Sequence, residues 1–314
     1  MQPSSASGDA RQRRIAALRF DYGARPKQPV GACNLCGGRK FVGLTHIDRY
    51  GYPATAQGCL RCGLVFLNPV MTADAYREFY ADVYRPLVSA YHGRLIDAET
   101  IQVEQAAYAL DRATLLEPYL KSGVSATLLD IGGSTGVVAH HFARHFDLRA
   151  TVLDPSPLEI EQAKRFDLET ITGLLEDFDP EDRRFDLITL CQTVDHILDV
   201  AGAMRKIGTL LAPDGLFFVD IVDFRAAFLR HWRVEEAIKI DHPYYLTEAT
   251  MEAFLWRAGF DVLGKDYAAD HLHVSYVCRR LDAPETRLPD PRTVDDLWRE
   301  VRAVQNAPRG ADAR

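Results

Sequence analysis

From residue 126 onward, strand-like and helix-like stretches alternate along the chain, and this alternation restricts the fold more than any other feature. Apolar runs read as strands at Ala126 to Ile131, Arg149 to Leu153, Glu169 to Thr172, Phe185 to Leu190 and Leu216 to Ile221. Helical patterns lie between them. One opens on Ser156-Pro157-x-Glu159, which combines a capping serine, proline at the first helical position and a first-turn carboxylate. Such an alternation predicts a parallel sheet covered on both faces. A helix over Thr247 to Ala258 stops at Gly259. Two β-rich runs after it, Phe260 to Tyr267 and Leu272 to Cys278, read as a closing antiparallel pair. The expected class is α/β, a Rossmann-like doubly wound sheet with its last strand antiparallel.

A second constraint lies upstream. Cys33-Asn34-Leu35-Cys36-Gly37 and Cys59-Leu60-Arg61-Cys62-Gly63 are two CxxC turns separated by 22 residues (59 − 36 − 1). A two-residue spacer lets both thiolates of a turn reach one ion, and the glycine permits the tight backbone that follows. Cys33, Cys36, Cys59 and Cys62 therefore form a candidate tetrahedral zinc site, with Zn–S bonds of about 2.3 Å and no open position for catalysis. Such an ion folds its module rather than performing chemistry. Degenerate knuckles and a redox dithiol are the competing readings. Cys191 and Cys278 stand singly in apolar stretches and read as core thiols.

Around these anchors the chain divides into residues 1–28, a basic tail expected to be disordered, and 29–70, a zinc-ribbon or knuckle module. A helical leader over 71–122 with Thr72 as a cap follows, then the Rossmann-like domain at 123–281. Residues 282–314 hold a C-terminal helix around Val294 to Val304 and a polar tail. The net charge of −7 argues against a surface that wraps nucleic acid throughout. It is unevenly spread, because Met1 to Val70 carries ten Lys and Arg against three Asp and Glu. A solvated tail is the plain reading of Arg11, Arg13, Arg14 and Arg19, and a binding arm the alternative. No apolar run approaches the roughly 20 residues that span a bilayer, and no secretory signal is visible, so a cytoplasmic chain without membrane association is expected. The oligomeric state is open.

The strand Leu128 to Ile131 enters a glycine turn, Gly132-Gly133-Ser134-Thr135-Gly136, at a helix start. Glycines let the backbone approach a ligand. The spacing is not the dinucleotide pattern, because Ser134 holds the second glycine position. Asp154 at the end of the next strand is placed to accept ribose hydroxyls. Asp130-x-Gly132-x-x-x-Gly136 resembles motif I of class I S-adenosylmethionine-dependent methyltransferases, with Ser134 replacing the middle glycine. Gly173 to Asp177, Phe185 to Leu190, Leu211 to Leu216 and the His242-to-Phe260 region are similar to later motifs of that family. The cysteine module and its sequel through Tyr84-Arg85 resemble the leader of zinc-containing methyltransferases, some of which methylate carbon on nucleotide-linked deoxysugars.

The resemblance implies a methyltransferase-type sheet and a site for S-adenosylmethionine made by Asp130, Gly132, Gly133, Ser134, Gly136, Asp154, Pro155, Leu175, Glu176, Cys191 and Gln192. Asp195 and His196 match the family's acid-histidine pair and are the candidate catalytic residues. In the sugar enzymes a tyrosine precedes the acid by two positions, where this chain has Thr193. Tyr84, His242 and Tyr244 are candidate acceptor contacts. The expected partner is a small-molecule acceptor, a nucleotide-linked sugar or another biosynthetic intermediate. Two alternatives are an RNA methyltransferase that holds its substrate with the basic zinc module, and a cofactor-binding or assembly protein without turnover. The acidic catalytic half, and the lack of aromatic residues interleaved with a basic stripe, speak against nucleic acid.

Overall fold

The computed structural model describes residues 5–120 and 126–307. Its main sheet has seven strands: β1 (Thr127–Ile131), β2 (Arg149–Asp154), β3 (Glu169–Thr172), β4 (Phe185–Leu190), β5 (Leu211–Val222), β6 (Phe260–Tyr267) and β7 (His273–Arg280). Their spatial order is β6-β7-β5-β4-β1-β2-β3. The first five strands pair in parallel, and β7 lies antiparallel between β5 and β6. The chain leaves β1 toward β2 on one side and returns to β4 on the other. The carboxyl ends of β1 and β4 therefore flank the topological switch, where open α/β sheets form their ligand crevice.

Helices α1 (Ser5–Ala17), α2 (Ala73–Asp82), α3 (Tyr84–His92) and α4 (Gln102–Leu116) precede the sheet. Within it come α5 (Val137–Phe146), α6 (Pro157–Ala163), α7 (Val200–Leu210), α8 (Phe224–His231) and α9 (Glu248–Arg257), and α10 (Pro291–Asn306) follows. Their starts carry the expected chemistry. Thr72, Ser156, Asp199 and Thr247 each accept a backbone N–H of the first turn. Phe142, Phe146 and Leu116 bury one face of the sheet, and Met204, Ile207 and Phe254 the other. No described helix is long and apolar enough to cross a membrane.

The cysteine module is a small antiparallel sheet of Phe41–Thr45, Ala56–Cys59 and Val65–Leu67. Tyr244–Tyr245, from far along the chain, completes it by pairing with Val65 and Phe66. Helix α10 lies against the same module: Leu297 and Val294 approach Gly63, and Gln305 donates to the Leu44 carbonyl at 2.7 Å. The N-terminal segment corrects the expectation of disorder over 1–28. From Ser5 to Ala17 it is helical, and Ile15 and Tyr22 are buried in a cluster with residues of α2, α3, α8 and α10. Sparse apolar residues at 15, 18, 20 and 22 anchor the segment, although its average composition is polar. Residues 1–4 and 308–314 of the two predicted tails lie outside the described residues.

Candidate active site

At the head of β1 the glycine turn places Asp130 beneath a cavity of about 150 Å³. Asp130, Gly132, Gly133, Cys191 and Gln192 line it from the sheet, and Ile101, Gln105 and Tyr108 line it from α4 and the residue before it. Oδ1 of Asp130 accepts from Thr189 Oγ1 at 2.6 Å. Oδ2 is buried with no hydrogen-bond partner among the described residues. Burial pushes this carboxyl up to about 7, the bond from Thr189 partly offsetting it. Gly132 has φ +68°, and a Cβ there would stand 2.5 Å from Thr193 Cγ2. At Gly133 a Cβ would meet Asp130 Oδ2 at 2.7 Å. The cradle therefore excludes side chains and presents an unsatisfied carboxylate oxygen, which suits a ligand bearing an ammonium group.

Asp154 ends β2 almost fully buried. Its oxygens accept from the Ser134 amide at 2.9 Å and the Ser156 amide at 2.8 Å. Burial raises it to about 6 against those two bonds. Ser134 takes φ +51°, and its hydroxyl donates to Glu159 Oε2 at 2.9 Å. Arg85 of α3 pairs with the other Glu159 oxygen at 2.8 Å, which draws the leader over the glycine turn. Pro155 and Glu176 are exposed, whereas Leu175 is buried in the core beneath them. Cys191 lines the cavity and is not enclosed in the core as the apolar context implied. Gln192 donates its amide to Asp220, whose other oxygen accepts from Tyr108 at 2.7 Å.

Just past β4, a second constellation assembles around His196. Asp195 Oδ2 lies 2.8 Å from Nδ1 of His242, and His242 Nε2 lies 3.3 Å from Asp241 Oδ2. Lys239 Nζ stands 3.8 Å from the same Asp241 oxygen. Burial alone would raise both carboxyls, but facing His242 holds Asp195 well below the usual range, and Lys239 and His242 hold Asp241 low. The His196 ring packs 4.5 Å from that of His242, and Tyr80 and Tyr84 stand edge-on to it at 5.5 and 6.0 Å.

The protons in this group can be assigned by counting. The Tyr80 hydroxyl lies 2.5 Å from the Asp241 carbonyl oxygen and 2.6 Å from His196 Nδ1. A carbonyl only accepts, so the single phenolic proton goes to Asp241. His196 Nδ1 must then carry a proton and donate to the phenol, which leaves the lone pair on Nε2. Burial, and then the neighbouring His242, lower His196 to about 4, so the ring is neutral at pH 7.

The structure thus brings Asp195, His196, His242 and Tyr84 together. Tyr244 is turned away, with its hydroxyl bonded to the Leu198 carbonyl at 3.0 Å and its backbone in the module's sheet. Sequence reasoning missed Lys239 and Asp241, and it reads Tyr80 only as one of the leader tyrosines, with Tyr84 and Tyr91, that either cover the cofactor or pack as ordinary half-buried residues. Tyr80 supplies the phenol that Thr193 lacks, from an element 113 positions earlier (193 − 80) that no local pattern links to β4. At the cysteine module, Cys33 and Cys62 Sγ lie 3.5 Å apart, as do Cys36 and Cys59, and all four sulfurs fall within 4.8 Å of one another. Four sulfurs around one ion at about 2.3 Å would be spaced comparably, so the cluster is consistent with a zinc site.

Residues 102–265, just over half of the chain, match a family model described as a methyltransferase domain. The ubiquinone biosynthesis O-methyltransferase of Methylocella silvestris is 34% identical over 97 residues, 29% of this chain and 38% of that protein. Its namesake in Methylobacterium sp. (strain 4-46) is 34% identical over 105 residues, 31% of this chain and 41% of the relative. The chain thus spans about two-fifths of the length of these curated relatives. Among solved structures, an S-adenosylmethionine-dependent methyltransferase from Clostridium acetobutylicum aligns over 66% of this chain and 99% of its own, with 14% identity and a TM-score of 0.46. Mitomycin 7-O-methyltransferase aligns over 62% and 57%, with 20% identity and a TM-score of 0.47. The matched segment runs from α4 into β6 and contains the glycine turn, Asp154 and, of the second constellation, Asp195, His196, Lys239, Asp241 and His242, so the chain belongs to the methyltransferase-domain family, in its class I, S-adenosylmethionine-dependent form.

Proposed function

We propose that the chain transfers a methyl group from S-adenosylmethionine to a small-molecule acceptor, with His196 Nε2 as the general base. The observation that carries this reading is the bare lone pair on Nε2, which follows from Tyr80 committing its only proton to the Asp241 carbonyl. Bound S-adenosylmethionine supplies a methyl carbon already activated by a sulfonium. Asp130 Oδ2 would take its ammonium group, and Asp154 would accept from its ribose diol, exchanging the present backbone amides for hydroxyls. Gly132 and Gly133 leave room for the donor, while α4 covers the cleft and excludes water. His196 accepts the acceptor's proton at Nε2. Asp195 then stabilises the imidazolium from 4.0 Å, and His242 keeps that carboxylate oriented and ionised. Tyr84 borders the space over the imidazole.

Similarity to O-methyltransferases supports an oxygen nucleophile over the carbon of a nucleotide-linked sugar. The four cysteines hold structural zinc in this reading, because an all-sulfur closed set has no open position for an acceptor. Calorimetry with S-adenosylhomocysteine, followed by transfer assays with phenolic and hydroxylated acceptors, tests the assignment. His196→Ala should lower kcat by roughly 10²- to 10⁴-fold and leave product-cofactor affinity intact. Undiminished turnover in that variant would remove His196 from the mechanism.

A further inference from the structure

The basic N-terminal segment, left without a role above, folds into α1 and carries Arg11 to the carboxyl end of α3. There its guanidinium lies over the Tyr91 ring, 4.2 Å from the centroid. Arg49, from the cysteine module, lies over the same ring at 4.8 Å. Among the described residues neither guanidinium makes an ion pair or a side-chain hydrogen bond, and Arg49 Nε is buried without a partner. Arg14, nearby, behaves differently: its Nε donates to the Ala90 carbonyl at 2.8 Å and so serves the helix terminus. Each guanidinium lies over the ring, and the nitrogens left without a protein partner and open to a forked anion are those of Arg11 and the terminal pair of Arg49.

We infer that Arg11 and Arg49, with His92 beside them, bind a phosphate or pyrophosphate group carried by the methyl acceptor. The inference rests on the methyltransferase reading for the acceptor itself. His92 follows Tyr91 directly, with ring centroids 5.1 Å apart. Burial, and then the fields of Arg49, Arg94 and Arg11, lower its pKa, so it meets an anion as a neutral donor. His231 at the end of α8 is likewise lowered by burial, and Arg49 and Arg11 act on it too against Glu236. Other acids in the neighbourhood are committed. Asp48 accepts backbone amides from Tyr50, Tyr52 and Ile240, and Glu104 pairs with Arg94.

The patch continues onto the catalytic wall. The Arg49 amide donates to the Ile238 carbonyl at 2.9 Å, one residue before Lys239. Tyr50 stacks edge-on against Tyr91 at 5.3 Å. The Arg49 charge also acts on Lys239, which faces Asp241, so the patch adjoins the segment that carries the His196 cluster.

Titration calorimetry of the full zinc-replete chain with inorganic pyrophosphate, in low salt, tests the site. Wild type should bind, and Arg11→Gln and Arg49→Lys should each weaken binding about tenfold, because both remove one fork. Arg299→Gln, on the outer face of α10, should bind as wild type. Absence of pyrophosphate heat, or wild-type affinity in either patch variant, overturns the site. Tighter binding of a single-stranded RNA oligonucleotide, falling steeply with salt, overturns it in favour of nucleic acid. S-adenosylhomocysteine titrated into the same samples separates the two readings: its heat alone, without pyrophosphate heat, sinks the patch and leaves the methyltransferase reading standing.

Discussion

Asp130 and Asp154 titrate near 7 and near 6 because both are buried at the head of the sheet. In the proposed cofactor site their ionised forms would accept an ammonium and a ribose diol. Raised carboxyl pKa values also mean that the unliganded protein is favoured in the protonated state. That contribution to stability is complete below the ordinary carboxylate pKa and is lost as pH rises through 6 to 7. Ligand binding should move the other way, so the increase in Tm caused by S-adenosylhomocysteine should grow from pH 5 to pH 8. A constant increase over that range would contradict the assignment. His196 has the opposite sign. Held down to about 4, it is already neutral over the same range, so kcat at saturating cofactor should fall with an acid limb near 4 and not near the ordinary histidine value of about 6.5. The acid-histidine pair was readable from its position after β4. The tautomer was not, because it depends on a phenol from α2 and a carbonyl at Asp241, which only folding brings to one ring.

Among elements, α10 was visible as a periodic helix, and the module as paired cysteine turns, but nothing in either sequence joins them. In the structure Trp298 of α10 occupies the space over Gly58, where a Cβ would stand 2.1 Å from Cη2. Gly58→Ala should therefore overpack this contact and cost about 1–3 kcal/mol, read as a lower denaturation midpoint. Trp298→Ala in the same background should recover part of that loss, and strictly additive effects would argue against the contact. Strand and helix ends near caps were legible because capping is local: Ser156 and Thr247 each bond their own first turn. Helix α1 was not legible, since a handful of apolar side chains in a polar segment becomes informative only when there is a surface to receive them.

At the scale of the whole molecule the cysteine module also supports the cluster around His196. Asp48 of the module accepts the Ile240 amide at 3.0 Å, and Tyr244–Tyr245 extends its sheet, so Asp241 and His242 lie between two attachments to it. With the four cysteines holding zinc as proposed, a strong chelator should abolish methyl transfer while much of the S-adenosylhomocysteine binding survives, because the glycine turn and Asp154 belong to the other sheet. Full activity in demonstrably metal-free protein would refute this coupling. What the sequence determined by itself was local or periodic: the alternation of strands and helices, the glycine turn with its acid, the cysteine spacing and the helix caps at Thr72 and Ser156. Each depends on residues within a few positions of one another, or on a repeating pattern of burial. The tertiary structure alone decided which side chains meet across the chain. Tyr80 on His196, Arg11 and Arg49 on Tyr91, and Trp298 on Gly58 are contacts between distant segments. They arise because separate elements share buried faces, and no short-range pattern in the sequence encodes that sharing.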